Sequence, residues 1–313
     1  MNTYLGLDFG GTKLLIGEVG RDGRVLRQKK YDTGTKDIHK ACDIILSSLL
    51  DYRDHVGFEG TLTAAGAGVV GTSDYKHGLW LALDQEPAAL PLPLARRISE
   101  ILGVPAFLDN DVRSAVTGEL LFGIGKQSSD FIYLNVGTGL AAGIVSGGKI
   151  IRGARNDAGE IGHMVVDASS DYPCECGRKG CAESYVSGIG FTRQAQVRGI
   201  LASVAAENGM CHVRLLFEKA AAGDKICREI YDYAAFTLSG VIMNLTRTTN
   251  PDTMILGGGI MSSEGFVERV KSYFSGVTMN DTKIVKPSFP HQEAGLIGAA
   301  SVAGYNMKGD NRE

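Results

Sequence analysis

The run Tyr4-Leu5-Gly6-Leu7-Asp8-Phe9-Gly10-Gly11-Thr12-Lys13-Leu14-Leu15-Ile16-Gly17-Glu18-Val19 joins two short apolar segments through a glycine turn. Tyr4–Leu7 and Leu14–Val19 read as the strands of a hairpin, and Arg24–Lys30 extends the meander after Arg21-Asp22-Gly23. The same grammar returns at Phe131–Val136, Asn135-Val136-Gly137-Thr138-Gly139 and Ala141–Val145. Two copies of one strand–glycine turn–strand pattern predict two similarly built lobes rather than one sheet. Between and after them, apolar strands alternate with amphipathic helices, which makes the chain α/β. Helices are expected at Ile38–Tyr52, Leu94–Leu102, Val213–Ala222, Ile226–Thr248, Glu264–Tyr273 and Gly295–Asn306. Strands are expected at Ala64–Val70, Ala106–Leu108 and Met254–Leu256.

Composition narrows the class. The 313 residues carry 32 Lys plus Arg against 35 Asp plus Glu, a formal charge of −3, with 44% hydrophobic residues. No basic excess or polybasic run suggests a nucleic-acid or membrane partner. No apolar run approaches the roughly 18 residues of a membrane span, and no secretory leader is visible, so a cytoplasmic enzyme is expected. The chain holds 42 glycines beside only 8 prolines, which points to many close backbone approaches.

Two glycine runs mislead. Gly66-Ala67-Gly68-Val69-Val70-Gly71 has dinucleotide-fold spacing, yet it continues into Thr72-Ser73-Asp74-Tyr75-Lys76-His77-Gly78, which is turn chemistry rather than a helix. Gly6–Gly11 has phosphate-loop spacing, but Thr12-Lys13 replaces Lys-Ser/Thr and Leu14–Val19 reads as strand.

Three other turns form a set. Asp8, Gly10, Gly11, Thr12 and Lys13 place a carboxylate, two side-chain-free residues, a hydroxyl and an ammonium on one turn. Such a turn can close backbone N–H groups on a phosphate, with Asp8 holding Mg²⁺ through water. In isolation it reads equally well as a hairpin turn with a solvated Lys. Gly137-Thr138-Gly139 is a second turn of this type, and Gly257-Gly258-Gly259 at a strand end is a third.

Cys174, Cys176 and Cys181 crowd into eight residues, with ten residues between His163 and Cys174. One imidazole and three thiolates suit tetrahedral Zn²⁺, and with four protein ligands such an ion is structural. Gly177 and Gly180 supply the bends of a knuckle. Cys42, Cys211 and Cys227 read as small buried hydrophobes.

Together these motifs resemble the ROK family (repressors, open reading frames and kinases) of the actin-like sugar-kinase superfamily. The resemblance runs from about Tyr4 to Ala303. It rests on DxGGTK at Asp8, VGTG at Val136, LGGG at Leu256, and a GExGH…CxCGxxGCxE pattern over Gly159–Glu183, with Ala182 where Leu is usual. It implies two actin-like, ribonuclease H-like lobes with ATP and a hexose in a central cleft. The expected boundaries are an N-terminal lobe over 1–115, onto which a C-terminal helix of about 295–313 packs back, and a larger lobe over 116–294 carrying the knuckle at 163–181. It also implies that Glu160, His163 and Glu183 contact sugar hydroxyls, since an ionised carboxylate is acceptor-only and hydroxyls donate. His163 then serves both zinc and sugar. In Asp109-Asn110-Asp111, the family pattern makes Asp111 the base and Asn110 a sugar contact, whereas an isolated Asp-Asn-Asp is a helix N-cap. Asp109 stands where Glu is more usual, and Arg113 where Asn is common. The sugar loop also departs from pattern: Asp84 or Gln85 takes the contact of the usual Asn, or the loop is remodelled for another sugar, or it is a solvated acidic segment.

The resemblance implies ATP-dependent phosphorylation of a hexose or hexose derivative, at the 6-hydroxyl, with ATP, Mg²⁺ and structural Zn²⁺. The expected partners are a small-molecule sugar and a second copy in a homodimer, with no nucleic acid and no membrane. A catalytically silent sugar- or zinc-binding scaffold is disfavoured by the retained Asp8, Asp111 and phosphate turns, and two alternatives remain at this point. One is a sugar-responsive transcriptional regulator, disfavoured because only seven residues precede Asp8 and no basic recognition helix appears. The other is a kinase using polyphosphate as donor.

Overall fold

The computed structural model describes residues 1–11, 13–83, 87–274 and 281–307. The chain divides into one unit comprising Met1–Ser129 and Pro287–Glu313, and another comprising Asp130–Lys286.

In the first unit, β1 (Asn2–Phe9), β2 (Lys13–Gly20) and β3 (Val25–Asp32) form the expected antiparallel meander. Helix α1 (Ile38–Asp51) follows, with the Asp37 side chain accepting the His39 and Lys40 N–H groups as N-cap. Ile38, Ala41, Cys42, Ile45, Leu46 and Leu49 are buried at three- and four-residue spacing, as an amphipathic helix requires. β4 (Thr61–Val69) pairs parallel with β1. Short strands β5 (Thr72–Asp74), β6 (Leu79–Ala82) and β7 (Pro87–Leu92) then make a separate small sheet. This corrects the reading of Thr72–Asp74 as turn, which holds for Tyr75–Gly78 alone. The antiparallel pairing of β5 with β6 satisfies the backbone there, and Trp80 fixes it: its ring packs edge-on to Phe9 with centroids 5.3 Å apart, and Nε1–H donates to Val70 O. Helix α2 (Leu94–Leu102), β8 (Ala106–Asn110) and α3 (Asp111–Leu121) complete this part. The main sheet has the order β3-β2-β1-β4-β8, with β8 parallel to β4.

The second unit repeats that plan. β9 (Phe131–Val136), β10 (Leu140–Ser146) and β11 (Lys149–Ile151) form an antiparallel meander. Helices α4 (Glu183–Val186), α5 (Gly188–Val197), α6 (Leu201–Val204), α7 (Val213–Ala221) and the 25-residue α8 (Lys225–Thr249) follow. β12 (Thr253–Gly257) lies parallel to β9, and after α9 (Glu264–Ser272) β13 (Lys283–Val285) lies parallel to β12. The order β11-β10-β9-β12-β13 matches the first sheet strand for strand. Its core joins Ile132, Leu134 and Val136 to Leu238 and Ile242 of α8, all fully buried.

Helix α10 (His291–Met307) belongs to the first unit. Leu296, Ala300 and Ala303 pack on Tyr4, Leu15, Val19 and Ala64. Tyr4, Gly6 and Asp8 share that face of β1, because alternate residues of a strand point the same way. A Cβ at Gly6 would stand 2.5 Å from Leu296 O, and one at Gly66 2.0 Å from Ala299 O. Gly6 and Gly66, the first glycines of the two misleading runs, therefore let a helix lie flat on the sheet. The first unit runs to Ser129 rather than 115, and resumes at Pro287 rather than 295. The cause is α3, which is a helix of this unit packed on α10: a Cβ at Gly298 would stand 2.6 Å from Ser114 O. No helix among the described residues is long and apolar enough to cross a membrane.

Candidate active site

In the first unit the site residues collect where the parallel strands end. Chain reversal after β1 is closed by the Gly10 N–H donating to Lys13 O at 2.9 Å. Asp8 is the last residue of β1 on the α10 face, and Gly295 stands opposite: a Cβ there would be 2.2 Å from Asp8 Oδ2. Only glycine leaves the carboxylate its place. Burial pushes the Asp8 carboxyl up to about 6, against the pull of the Lys13 ammonium. Thr12 lies outside the described residues. Gly11 has open space where a side chain would be.

Two strands away, β8 ends in Asn110. Its side-chain oxygen accepts the Arg113 N–H at 2.8 Å, so Asn110 is the N-cap of α3. Asp111 is the first residue of that helix. Its Oδ1 accepts the Val112 N–H at 2.9 Å and the Asn110 Nδ2–H at 3.3 Å, which together orient the half-buried carboxylate. Adjacent strands are spaced about 4.8 Å apart, so the ends of β1 and β8 are separated by roughly 10 Å. The buried Asp109 accepts the Asn110 N–H, and Arg113 is buried as well. Asp84 and Gln85 lie outside the described residues.

In the second unit, the Gly137-Thr138-Gly139 turn links β9 to β10. Gly137 O and Thr138 O accept the Gly188 and Ile189 N–H groups at the start of α5. Among the described residues, no hydrogen bond engages the N–H of Thr138 or Gly139. Outward N–H groups on a turn suit an anion. Gly257 pairs in register with Asn135, so the third glycine turn begins beside the second at the same sheet end. A Cβ at Gly257 would strike the Tyr133 hydroxyl at 2.3 Å. Gly258 has φ +92° and lies against Val136, where a Cβ would come within 2.3 Å of its carbonyl oxygen.

Glu160 opens the short helical turn Ile161–His163. Glu183, the first residue of α4, accepts the Leu140 N–H on Oε2 at 3.0 Å. A Cβ at Gly162 would stand 3.2 Å from Glu183 Cβ, so the turn carrying Glu160 and His163 abuts Glu183 and the second glycine turn. Glu160, His163 and Glu183 are thus brought into a single neighbourhood. Gly162, Gly188 and Gly295 were not foreseen as site residues. Each is a glycine at a close approach, a signal lost among 42.

The knuckle is compact. His163 Nδ1 lies 3.3 Å from Cys174 Sγ, and Cys176 Sγ lies 3.6 Å from Cys181 Sγ. The donor atoms of His163, Cys174 and Cys176 all fall within 4.8 Å of one another. Zn–S bonds of about 2.3 Å in a tetrahedron place sulfurs roughly 3.8 Å apart, so these donors fit zinc. Gly177 and Gly180 adopt φ +81° and +71°, and a Cβ at Gly180 would collide with Asp167 O at 1.9 Å. Arg178, also unforeseen, donates Nη2–H to His163 O, and its N–H groups draw the Cys176 thiol down to about 6. Such a thiol is readily a thiolate ligand.

The profile of the ROK family matches residues 4–305. An N-acetylmannosamine kinase of Escherichia coli O9:H4 (strain HS) is 28% identical over 304 residues, covering 96% of this chain and 98% of that protein. The ROK hexokinase of Thermus thermophilus superposes with a TM-score of 0.79 at 27% identity, covering 98% of this chain and 99% of the other. A ROK glucokinase of Streptomyces griseus, solved with glucose and AMPPNP, gives 0.77 at 27% identity, covering 97% and 99%. The repeated sheet plan is thus the actin-like fold of the ROK sugar kinases. On a match that spans all but the chain ends, the protein belongs to the ROK family.

Proposed function

We propose that the protein transfers the γ-phosphoryl group of ATP to the 6-hydroxyl of an N-acetylated hexosamine or a closely related hexose. The observation that carries this reading is Asp111. A carboxylate at the end of a parallel strand, oriented by Asn110 and the Val112 N–H, is the group a sugar kinase needs to take the acceptor hydroxyl's proton. Thr138 and Gly139 offer N–H groups to the phosphates, and Lys13 offers its ammonium. Glu160, His163 and Glu183 accept from sugar hydroxyls. Gly257–Gly259 let the adenosine lie against backbone.

Asp8 fits a hydrated Mg²⁺, because its half-buried carboxylate accepts no hydrogen bond among the described residues and carries a raised pKa. Mg²⁺ supplies neutralisation of the donor phosphates. His163, Cys174, Cys176 and Cys181 fit a structural Zn²⁺, which holds the loop between Glu160 and Glu183 in shape.

The substrate class is supported by the E. coli N-acetylmannosamine kinase relatives. The test is ADP release with ATP·Mg²⁺ across a panel of N-acetylmannosamine, N-acetylglucosamine, glucose, mannose, fructose and allose, repeated with polyphosphate. Turnover of an N-acetylhexosamine is expected with the largest kcat/KM. Absence of turnover with every sugar and donor, together with specific duplex-DNA binding, would overturn the kinase reading.

A further inference from the structure

The Gly137-Thr138-Gly139 turn is braced from outside itself. Its first two carbonyls are taken by the N–H groups of Gly188 and Ile189, and the N–H of Leu140, next in the chain, is taken by Glu183 Oε2. The carboxylate is seated between two glycines. A Cβ at Gly139 would stand 2.7 Å from Glu183 Oε2, and one at Gly162 would stand 3.3 Å from the same oxygen. Neither glycine has a positive φ, so backbone conformation does not call for glycine at either place. What both positions share is room for this side chain. A hydrogen bond from a backbone N–H to an ionised acceptor is among the stronger kinds, and it fixes a direction as well as a distance.

We infer that Glu183 is a positioning residue for the nucleotide: by holding Leu140 N–H it keeps the Thr138 and Gly139 N–H groups in the shape that receives a phosphate. The inference rests on the reading of this turn as a phosphate site. It adds a role toward ATP to the sugar contact proposed for the same carboxylate, and so makes one side chain common to both substrates.

The test is calorimetric titration of the full chain with MgADP, without sugar, for wild type, E183Q and E183A. E183A is expected to weaken MgADP by about tenfold or more, the scale of losing a hydrogen bond to a charged group. E183Q keeps an amide oxygen that accepts the same N–H and should stay within about threefold of wild type. A residue serving the sugar alone, or the fold alone, would leave the MgADP affinity of a folded E183A unchanged, and that result overturns the inference. So does E183Q binding as weakly as E183A. Failure of the wild type to bind MgADP would instead sink the phosphate reading of the turn. Gly139→Ala approaches the contact from the other side, since its Cβ must displace Oε2. G139A should cost several-fold in MgADP affinity with Glu183 present and less in the E183A background; equal costs overturn the proposal. If E183A does not fold, an unchanged MgADP affinity in G139A alone is sufficient to overturn it.

Discussion

Asp8→Asn should make the nucleotide-free protein more stable while crippling nucleotide use. Asp8 is desolvated between the sheet and Gly295, with its carboxyl pushed from the ordinary 3.8 up to about 6. A carboxyl whose folded pKa exceeds its unfolded one contributes stability below about pH 4, and that contribution is lost as pH rises through about 6. At about 1.4 kcal/mol per pH unit, the interval from 3.8 to about 6 amounts to about 3 kcal/mol at most. Asparagine has nearly the same shape and no charge to desolvate. At pH 7.5, D8N should therefore be about 2–3 kcal/mol more stable than wild type, or several degrees higher in Tm. At pH 4 the two should melt together.

Urea midpoints for both proteins at pH 4, 5, 6, 7 and 8 provide the assay. Subtracting one profile from the other cancels every other titrating group, and the difference should open between pH 4 and pH 6. MgADP should then reverse the order at neutral pH, because a ligand stabilises only the form that binds it. A flat difference profile, or a D8N less stable than wild type at pH 7.5, would refute the claim that the site holds a destabilising charge in readiness for a cation.

Asp111→Asn keeps the oxygen that accepts from Val112 and Asn110, so the fold and substrate KM should persist while kcat falls at least about a hundredfold; a variant retaining most of its kcat would remove Asp111 as base. Elemental analysis after chelator-free purification should find about one zinc per chain, lost in Cys174→Ser; metal-free wild type of full stability would dismiss the knuckle as a metal site. Gly66→Ala drives a Cβ into Ala299 O, and overpacking of this kind costs about 1–3 kcal/mol or more. Unfolding of G66A at an unchanged urea midpoint would contradict that packing.

Legibility followed the length over which each signal acts. Helix α1 and strands β1 and β2 were readable because their apolar periodicity is local, and the echo at Phe131–Val145 was readable because the same grammar is repeated. The small sheet at Thr72–Leu92 was not, since its strands are three, four and six residues long and are held by a tryptophan that packs on β1. Helix α3 was missed for a related reason. Val112, Arg113, Ser114, Val116, Thr117, Gly118 and Glu119 are buried almost all round it, which erases the amphipathic stripe. Its start was legible as chemistry: Asn110 caps the helix and Asp111 begins it, so the bland reading of that triplet is correct in structure and compatible with the catalytic one. The knuckle was legible because its donors and bends lie close in sequence, whereas Arg178 is recognised only once its guanidinium is seen on His163 O.

The glycines divide by a physical criterion that composition could not supply. Gly177, Gly180 and Gly258 have positive φ, the last two with a carbonyl oxygen in the place of a Cβ as well, while Gly6, Gly66, Gly295 and Gly298 are needed only because another backbone or a carboxylate occupies that place. The second group has a consequence for function. Gly6 and Gly66 let α10 lie on β1 and β4, and that same seating carries Gly295 to Asp8. The carboxylate proposed to meet the cation is thus enclosed by a residue from the far end of the sequence. Packing of the last helix and desolvation of Asp8 are one event, so substitutions that lift α10 should lower the Asp8 pKa toward its ordinary value as they destabilise the fold. G66A therefore tests more than packing. If it remains folded, the pH-dependent stability gap between Asp8 and its D8N variant should shrink in the G66A background, and a gap of full size would separate the two roles that the structure joins.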